Sequence, residues 1–239
     1  MTIKALLKEQ GDRYLRQSTL FDMKRVFETT AMVVGVGAIG RQVALQLAAL
    51  GVREIMLIDD DTVETHNVSS QGYPADSVGR PKVDVTAEDC RRVNPSATPE
   101  VFAQRFSRNI LGIMDVVFSC VDSIETRGRI FHAMKHRCSL FVDGRMTAES
   151  LRVLAAWDYQ SRQYYEKTLF PQAEQYDGPC TARSTIYCAN IAAGFMVSVF
   201  ARFLRGIPIN TDVSLSLLAD DLVVKENPES SEWFTNKGA

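Results

Sequence analysis

The six residues Gly35-Val36-Gly37-Ala38-Ile39-Gly40 constrain this chain more than any other feature. They follow a short apolar β-type run, residues 31–34. They open a stretch with helical apolar spacing (Ile39, Val43, Leu47, Leu50) that Gly51 stops. Strand, tight glycine turn and helix form the unit whose backbone N–H groups and helix N-terminus approach a phosphate. Residues 54–58 read as a second buried strand ending in Asp59-Asp60-Asp61. Asp59 stands about 20 residues beyond the glycines, where a carboxylate usually holds ribose hydroxyls. The candidate nucleotide-binding residues are therefore Gly35, Gly37, Gly40 and Asp59. At this level NAD and ATP are equally acceptable ligands.

Residues 62–81 are polar with Gly and Pro and read as a long loop, a length that is usually functional or mobile inside a compact domain. Residues 82–93 look helical and end at Asn94-Pro95; 100–103 is a candidate strand, and 115–119 is a clear one running into Cys120-Val121-Asp122. Ser123 offers an N-cap to a helical stretch over 124–137, and 139–142 is another short buried strand. This alternation implies right-handed crossovers and a parallel doubly wound sheet. After Gly144 the pattern changes. Residues 151–157 are strand-like, 158–183 are polar and aromatic without a clear period, 185–204 form one long helix, and 213–218 with 222–224 make a final hairpin around Asp220-Asp221. The expected fold class is α/β: a Rossmann-like doubly wound sheet, parallel in the N-terminal half and extended by antiparallel strands in the C-terminal half. Residues 225–239, rich in Glu, Asn, Pro and Ser, are expected to be a mobile tail.

Composition narrows the function classes. The chain has 239 residues and a formal charge of −2 with Lys and Arg interspersed among acids, so it shows no electrostatic footprint for nucleic acid. Its five cysteines are odd in number, form no C-x-x-C pair and come with only three histidines. Neither a disulfide framework nor structural zinc is expected, which suits a reducing compartment. Residues 1–17 are charged and have no apolar h-region, so they do not read as a secretory signal and a cytoplasmic location is expected. The uncharged stretch 184–201 approaches membrane-spanning length, but with Ser184, Thr185, Tyr187, Asn190, Gly194 and Ser198 it reads as a buried core or interface helix, and no membrane partner is expected.

Other residues are candidates for chemistry. Asp122, just past the end of a predicted parallel strand, stands where open α/β sheets place ligands and is able to hold Mg²⁺ across phosphate oxygens. By itself it is equally well an ordinary carboxylate beside a helix N-terminus. Lys82 opens a helix after Gly79-Arg80-Pro81 and offers a point charge to a phosphate; alone it reads as a solvated lysine. Arg13 and Arg16 flank Tyr14 in a charged N-terminal segment, whose arginine is an option for stabilising a transferring phosphoryl group. Cys180, in Gly178-Pro179-Cys180-Thr181-Ala182-Arg183, is a thiol near a helix start and an arginine, the setting that lowers a thiol pKa. The other four cysteines read as buried small apolar residues. His66, His132 and His136 show no partner pattern.

Taken together these residues resemble the ubiquitin-activating-enzyme superfamily, in particular its bacterial ThiF/MoeB-type adenylyltransferases. The resemblance covers about residues 13–218. It is carried by Arg13-Tyr14-Leu15-Arg16-Gln17, the glycine loop, Asp59-Asp60-Asp61-Thr62-Val63, Asn67 with Gln71, Gly79-Arg80-Pro81-Lys82-Val83 and Cys120-Val121-Asp122. It implies one adenylation domain over 1–224, with a nucleotide-binding half at about 25–144 and a second half at about 145–224. It also implies ATP-dependent adenylation of the C-terminal carboxylate of a small ubiquitin-like (β-grasp) protein, with release of pyrophosphate. Under it Asp59 holds the ribose, Asp61, Asn67 and Gln71 shape the nucleotide pocket, Lys82 contacts phosphate and Asp122 binds Mg²⁺. Arg16 enters from the partner subunit of a homodimer. Cys180 matches the cysteine of members that take the acyl group as a thioester or pass on sulfur.

Two departures stand out. The family usually has Arg before the Gln of Asn-x-x-Arg-Gln, and this chain has Ser70 there. Arg80 is the candidate replacement cation. The two C-x-x-C zinc pairs of many bacterial members are absent as well. An NAD-dependent oxidoreductase shares the glycine loop and Asp59 but gives no role to Arg16, Lys82 or Asp122. A non-catalytic partner-binding relative is the alternative that Ser70 motivates, and an RNA-directed relative is disfavoured by the acidic balance.

Overall fold

The computed structural model describes residues 11–107, 109, 112–170 and 185–225. A 3₁₀ turn, Gly11–Tyr14, precedes α1 (Met23–Glu28), whose N-cap Asp22 accepts from the Lys24 amide. Then follow β1 (Thr30–Val34), α2 (Ala38–Leu50), β2 (Glu54–Ile58), α3 (Thr65–Gln71), a 3₁₀ turn at Ala75–Ser77, α4 (Lys82–Val93), β3 (Glu100–Phe102), β4 (Met114–Ser119) and α5 (Ile124–Met134). The second half contributes β5 (Cys138–Thr147), β6 (Ser150–Ala156), α6 (Tyr159–Lys167), α7 (Ile186–Leu204), β7 (Asp212–Ser216) and β8 (Asp221–Lys225).

One eight-stranded sheet has the order β3-β2-β1-β4-β5-β6-β7-β8. Pairing is parallel from β3 to β5 and antiparallel from β5 to β8, the topology expected from the sequence. Both faces of the parallel half are covered, which is why its strands read as continuous apolar runs. On one face α2, α4 and α7 bury Val43, Leu47, Val83, Cys90, Met196 and Phe200. On the other, α5 and α6 bury Ile130, Phe131, Met134 and Tyr165. The long apolar helix α7 is long and apolar enough to cross a membrane by length and composition only. Here it packs against α2, β5 and β6, with eight of its residues buried, as a core helix.

Four local expectations need correction. The stretch read as a long loop, 62–81, contains α3 and a 3₁₀ turn. A capping box, in which Glu64 and Asn67 exchange side-chain and backbone hydrogen bonds, nucleates a helix that lacks apolar periodicity. The stretch 158–183 begins with α6, again started by a capping box, Asp158 with Ser161. Strand β5 does not stop at Val142. It runs on through Gly144, where a side chain would collide with Met196 of α7. Helix α5 ends at Met134, three residues before the expected limit, and Lys135 caps it.

Candidate active site

Strand order reverses between β1 and β4, which lie side by side in the parallel half of the sheet. The helix after β1 packs on one face and the helix after β4 on the other, so a crevice opens beyond the carboxyl ends of these strands, where such sheets bind ligands. Both loops over that crevice come from the motifs singled out in the sequence. The Cys120 amide donates to Val34 O (2.8 Å), which holds the Cys120-Val121-Asp122 loop against the glycine loop.

The three glycines differ in what requires them. Gly35 has a φ of +84°, and a Cβ there would lie 2.8 Å from Cys120 O; a Cβ on Gly40 would overlap Gly35 O. Both are needed for the turn itself. Gly37 meets nothing closer than Gln71 Oε1 at 3.7 Å, so its missing side chain leaves open room over the loop. It is also the N-cap of α2 and makes no side-chain cap, leaving helix-terminal N–H groups to an incoming anion. That open cradle fits a nucleotide phosphate.

Asp59 braces the same loop. Its Oδ2 accepts from the Val36 amide (2.7 Å) and its Oδ1 from the Asp61 amide (2.8 Å). Burial pushes its carboxyl above the usual range, against these two hydrogen bonds and nearby Lys82. Lys82, the first residue of α4, is 5% exposed, and its Nζ pairs with Asp61 Oδ2 at 2.7 Å. Asn67 is buried and spends its Oδ1 on the Glu64 amide, so its contribution to a pocket runs through the shape of α3. Gln71 leaves a buried Oε1 without a partner beside Gly37. Asp122 is exposed on its loop, two residues before Ile124 opens α5.

The remaining residues lie elsewhere. Ser70 turns its hydroxyl back to His66 O (2.7 Å) and supplies no cation. Arg80 is held by Glu88 of α4 through both terminal nitrogens. Arg16 is exposed, two residues beyond Tyr14, which packs on Phe27 (5.2 Å) and against Gly51 at the far end of α2. At ~1.5 Å per residue, the 13 residues of α2 put about 20 Å between that end and the glycine loop. Cys180 lies outside the described residues. Of the other cysteines, Cys90, Cys138 and Cys188 are buried and Cys120 is partly so; burial pushes the Cys90 and Cys138 thiols up to about 12.

Sequence reasoning missed Tyr73. It is 2% exposed and bonds the glycine loop and α4 together; its signal, one aromatic in a polar stretch, was submerged in the loop reading. It also missed the buried Arg127–Asp143 pair beneath the site, with Arg145 on the second oxygen of Asp143 at 2.7 Å.

The family model described as "ThiF family" matches residues 11–225. This chain belongs to the ThiF family. Among its relatives is "Sulfur carrier protein ThiS adenylyltransferase" of Escherichia coli, 30% identical over 128 residues, covering 49% of this chain and 51% of that protein. Another is "Ubiquitin-like modifier-activating enzyme 5" of Caenorhabditis elegans, 28% identical over 151 residues, covering 57% of this chain and 36% of the relative. The chain thus spans about half the length of the first and about a third of the second. Among solved structures, E. coli MccB with ATP superposes with a TM-score of 0.69 at 15% identity, covering 93% of this chain and 76% of the other. That likeness shows a ThiF-type fold.

Proposed function

We propose that this ThiF-family chain is an ATP-dependent adenylyltransferase that activates the C-terminal carboxylate of a small ubiquitin-like, β-grasp protein. The observation that carries the reading is the convergence of an open glycine loop, Asp59, Lys82 and Asp122 on one crevice at the β1–β4 switch point. The names of relatives, which describe adenylyltransferases and activating enzymes for sulfur-carrier and ubiquitin-like proteins, support it.

In this reading the glycine loop and the α2 N-terminus cradle phosphates, and Asp59 takes the ribose hydroxyls with the lone pairs left over from Val36 and Asp61. Lys82 leaves Asp61 for a phosphate oxygen. Asp122 is the carboxylate fitted to hold Mg²⁺, which neutralises phosphate charge when bound. A carboxylate oxygen of the acceptor attacks the α-phosphorus as the bond to pyrophosphate breaks, leaving an acyl-adenylate. The chain's task is positioning and charge stabilisation. Arg16 acts in trans within a homodimer with shared sites, a reading supported by the length of α2 between its segment and the crevice of its own chain. Cys180 is the proposed acceptor of the acyl group as a thioester, with AMP leaving, or the carrier of sulfur.

Calorimetric titration with ATP, with and without Mg²⁺, and with NAD, tests the reading on wild type and Asp122→Ala. The expected result is Mg²⁺-dependent ATP binding that Asp122→Ala weakens. No ATP binding, or a preference for NAD, overturns it in favour of a partner-binding relative or an oxidoreductase.

A further inference from the structure

Tyr73 stands where three parts of the crevice meet. Its hydroxyl lies 2.5 Å from Val36 O, 3.1 Å from Thr86 Oγ1 and 3.5 Å from Lys82 O. A phenol has one proton, and the short contact to a carbonyl claims it. The Thr86 hydroxyl therefore donates to Tyr73 Oη. Val36 is the second residue of the glycine loop, and its amide is already bonded to Asp59 at 2.7 Å. The loop is thus gripped on both sides of one residue, by the acid at the end of β2 and by Tyr73. Thr86 lies one helical turn beyond Lys82 on α4, so the same hydroxyl that holds the loop also holds the helix carrying the lysine.

The ring itself has little freedom. The Arg41 guanidinium lies 4.9 Å over it and is paired with Asp89 of α4 at 2.7 Å. Gly72, at a φ of +73°, delivers the chain from α3 into this position. A phenylalanine would fill the same apolar space. What the hydroxyl adds is a buried, fully bonded link between two elements that have no covalent connection nearby, the kind of network that fixes geometry.

We propose that Tyr73 is a positioning residue of the nucleotide site: its hydroxyl sets the spacing between the glycine loop and the α4 helix, so that one polyphosphate meets the loop amides and Lys82 together. This rests on the ATP reading above. Binding of the adenosine part runs through Asp59, whose bond to Val36 does not involve Tyr73. The effect therefore falls on phosphates.

The test uses the full chain as wild type, Tyr73→Phe and Thr86→Val, with ATP and adenosine as calorimetric ligands and amide hydrogen exchange over residues 36–40. Tyr73→Phe is expected to weaken ATP about tenfold, since it leaves the buried Val36 carbonyl without its donor and the loop free to shift, and adenosine less than twofold. Thr86→Val is expected to lose less in the same direction, and the loop amides exchange faster in both. A Tyr73→Phe protein that binds ATP within twofold of wild type, or that loses ATP and adenosine equally, overturns the inference. Wild type that fails to bind ATP sinks the nucleotide reading instead. Exchange then judges the clamp alone: unchanged protection over 36–40 overturns it, and faster exchange upholds it.

Discussion

Lys82 Nζ donates to Asp61 Oδ2 across 2.7 Å, in a pair whose lysine side chain is 6% exposed and whose aspartate side chain is 63% exposed. The asymmetry gives the two residues different roles. The carboxylate is free to swing into water, whereas the ammonium needs an anion wherever it goes. Asp61→Asn should therefore destabilise the nucleotide-free protein by about 1–2 kcal/mol, less than a fully buried pair because one partner is solvated. ATP, by supplying the missing negative charge, should raise the melting temperature of Asp61→Asn more than that of wild type. Equal ATP-induced shifts would mean that Lys82 does not trade partners.

Gly37 and Gly40 should fail in different assays. A Cβ at Gly40 overlaps the Gly35 carbonyl, so Gly40→Ala is expected to lose several °C in a thermal melt or to misfold. Gly37→Ala has room in the fold and should melt near wild type while losing about tenfold or more in ATP affinity, because the methyl occupies the phosphate cradle. An ATP affinity unaffected by Gly37→Ala would place the phosphates elsewhere.

Arg80 is named by sequence as the replacement for the cation missing at Ser70, yet its guanidinium is engaged by Glu88 on an exposed surface. We expect Arg80→Ala to change ATP affinity by less than about twofold, since exposed ion pairs contribute little. A large loss would show that ATP draws Arg80 away from Glu88.

Asp59 supplies a pH dependence with a definite sign. Burial raises its carboxyl above the ordinary aspartate value, so on acidification it takes up a proton before an exposed aspartate does. A raised carboxylate favours the protonated form in the folded protein, and ribose binding needs the ionised one. ATP affinity should thus fall as pH drops toward the acidic range, starting above the usual aspartate titration. Affinity measured over this range for wild type and Asp59→Asn checks it: the variant should be weaker at neutral pH and flat on the acid side. A wild-type profile as flat as the variant's would remove Asp59 from ribose binding.

Most of the sheet was legible because its signals are local. The strand at Thr30–Val34, the turn of Gly35 and the helix stopped by Gly51 are each written in neighbouring residues, and the change from parallel to antiparallel pairing shows as the end of the regular strand–helix alternation after Gly144. Helices α3 and α6 were not legible, since each rests on a capping box rather than on apolar periodicity. Lys82 was legible as a residue but not as a buried one. Its partner stands 21 residues earlier, and only the fold brings the two side chains together.

The sequence by itself determined the order of the strands, the glycine turn and the carboxylates that end the strands, because backbone preferences and apolar spacing act over a few residues. Only the tertiary structure decided which of those groups meet. Tyr73 joins Val36 across 37 residues and Arg127 joins Asp143 across 16 through contacts made when helices pack on the sheet. Hydrogen bonds of that range depend on the relative placement of elements, which no local pattern encodes.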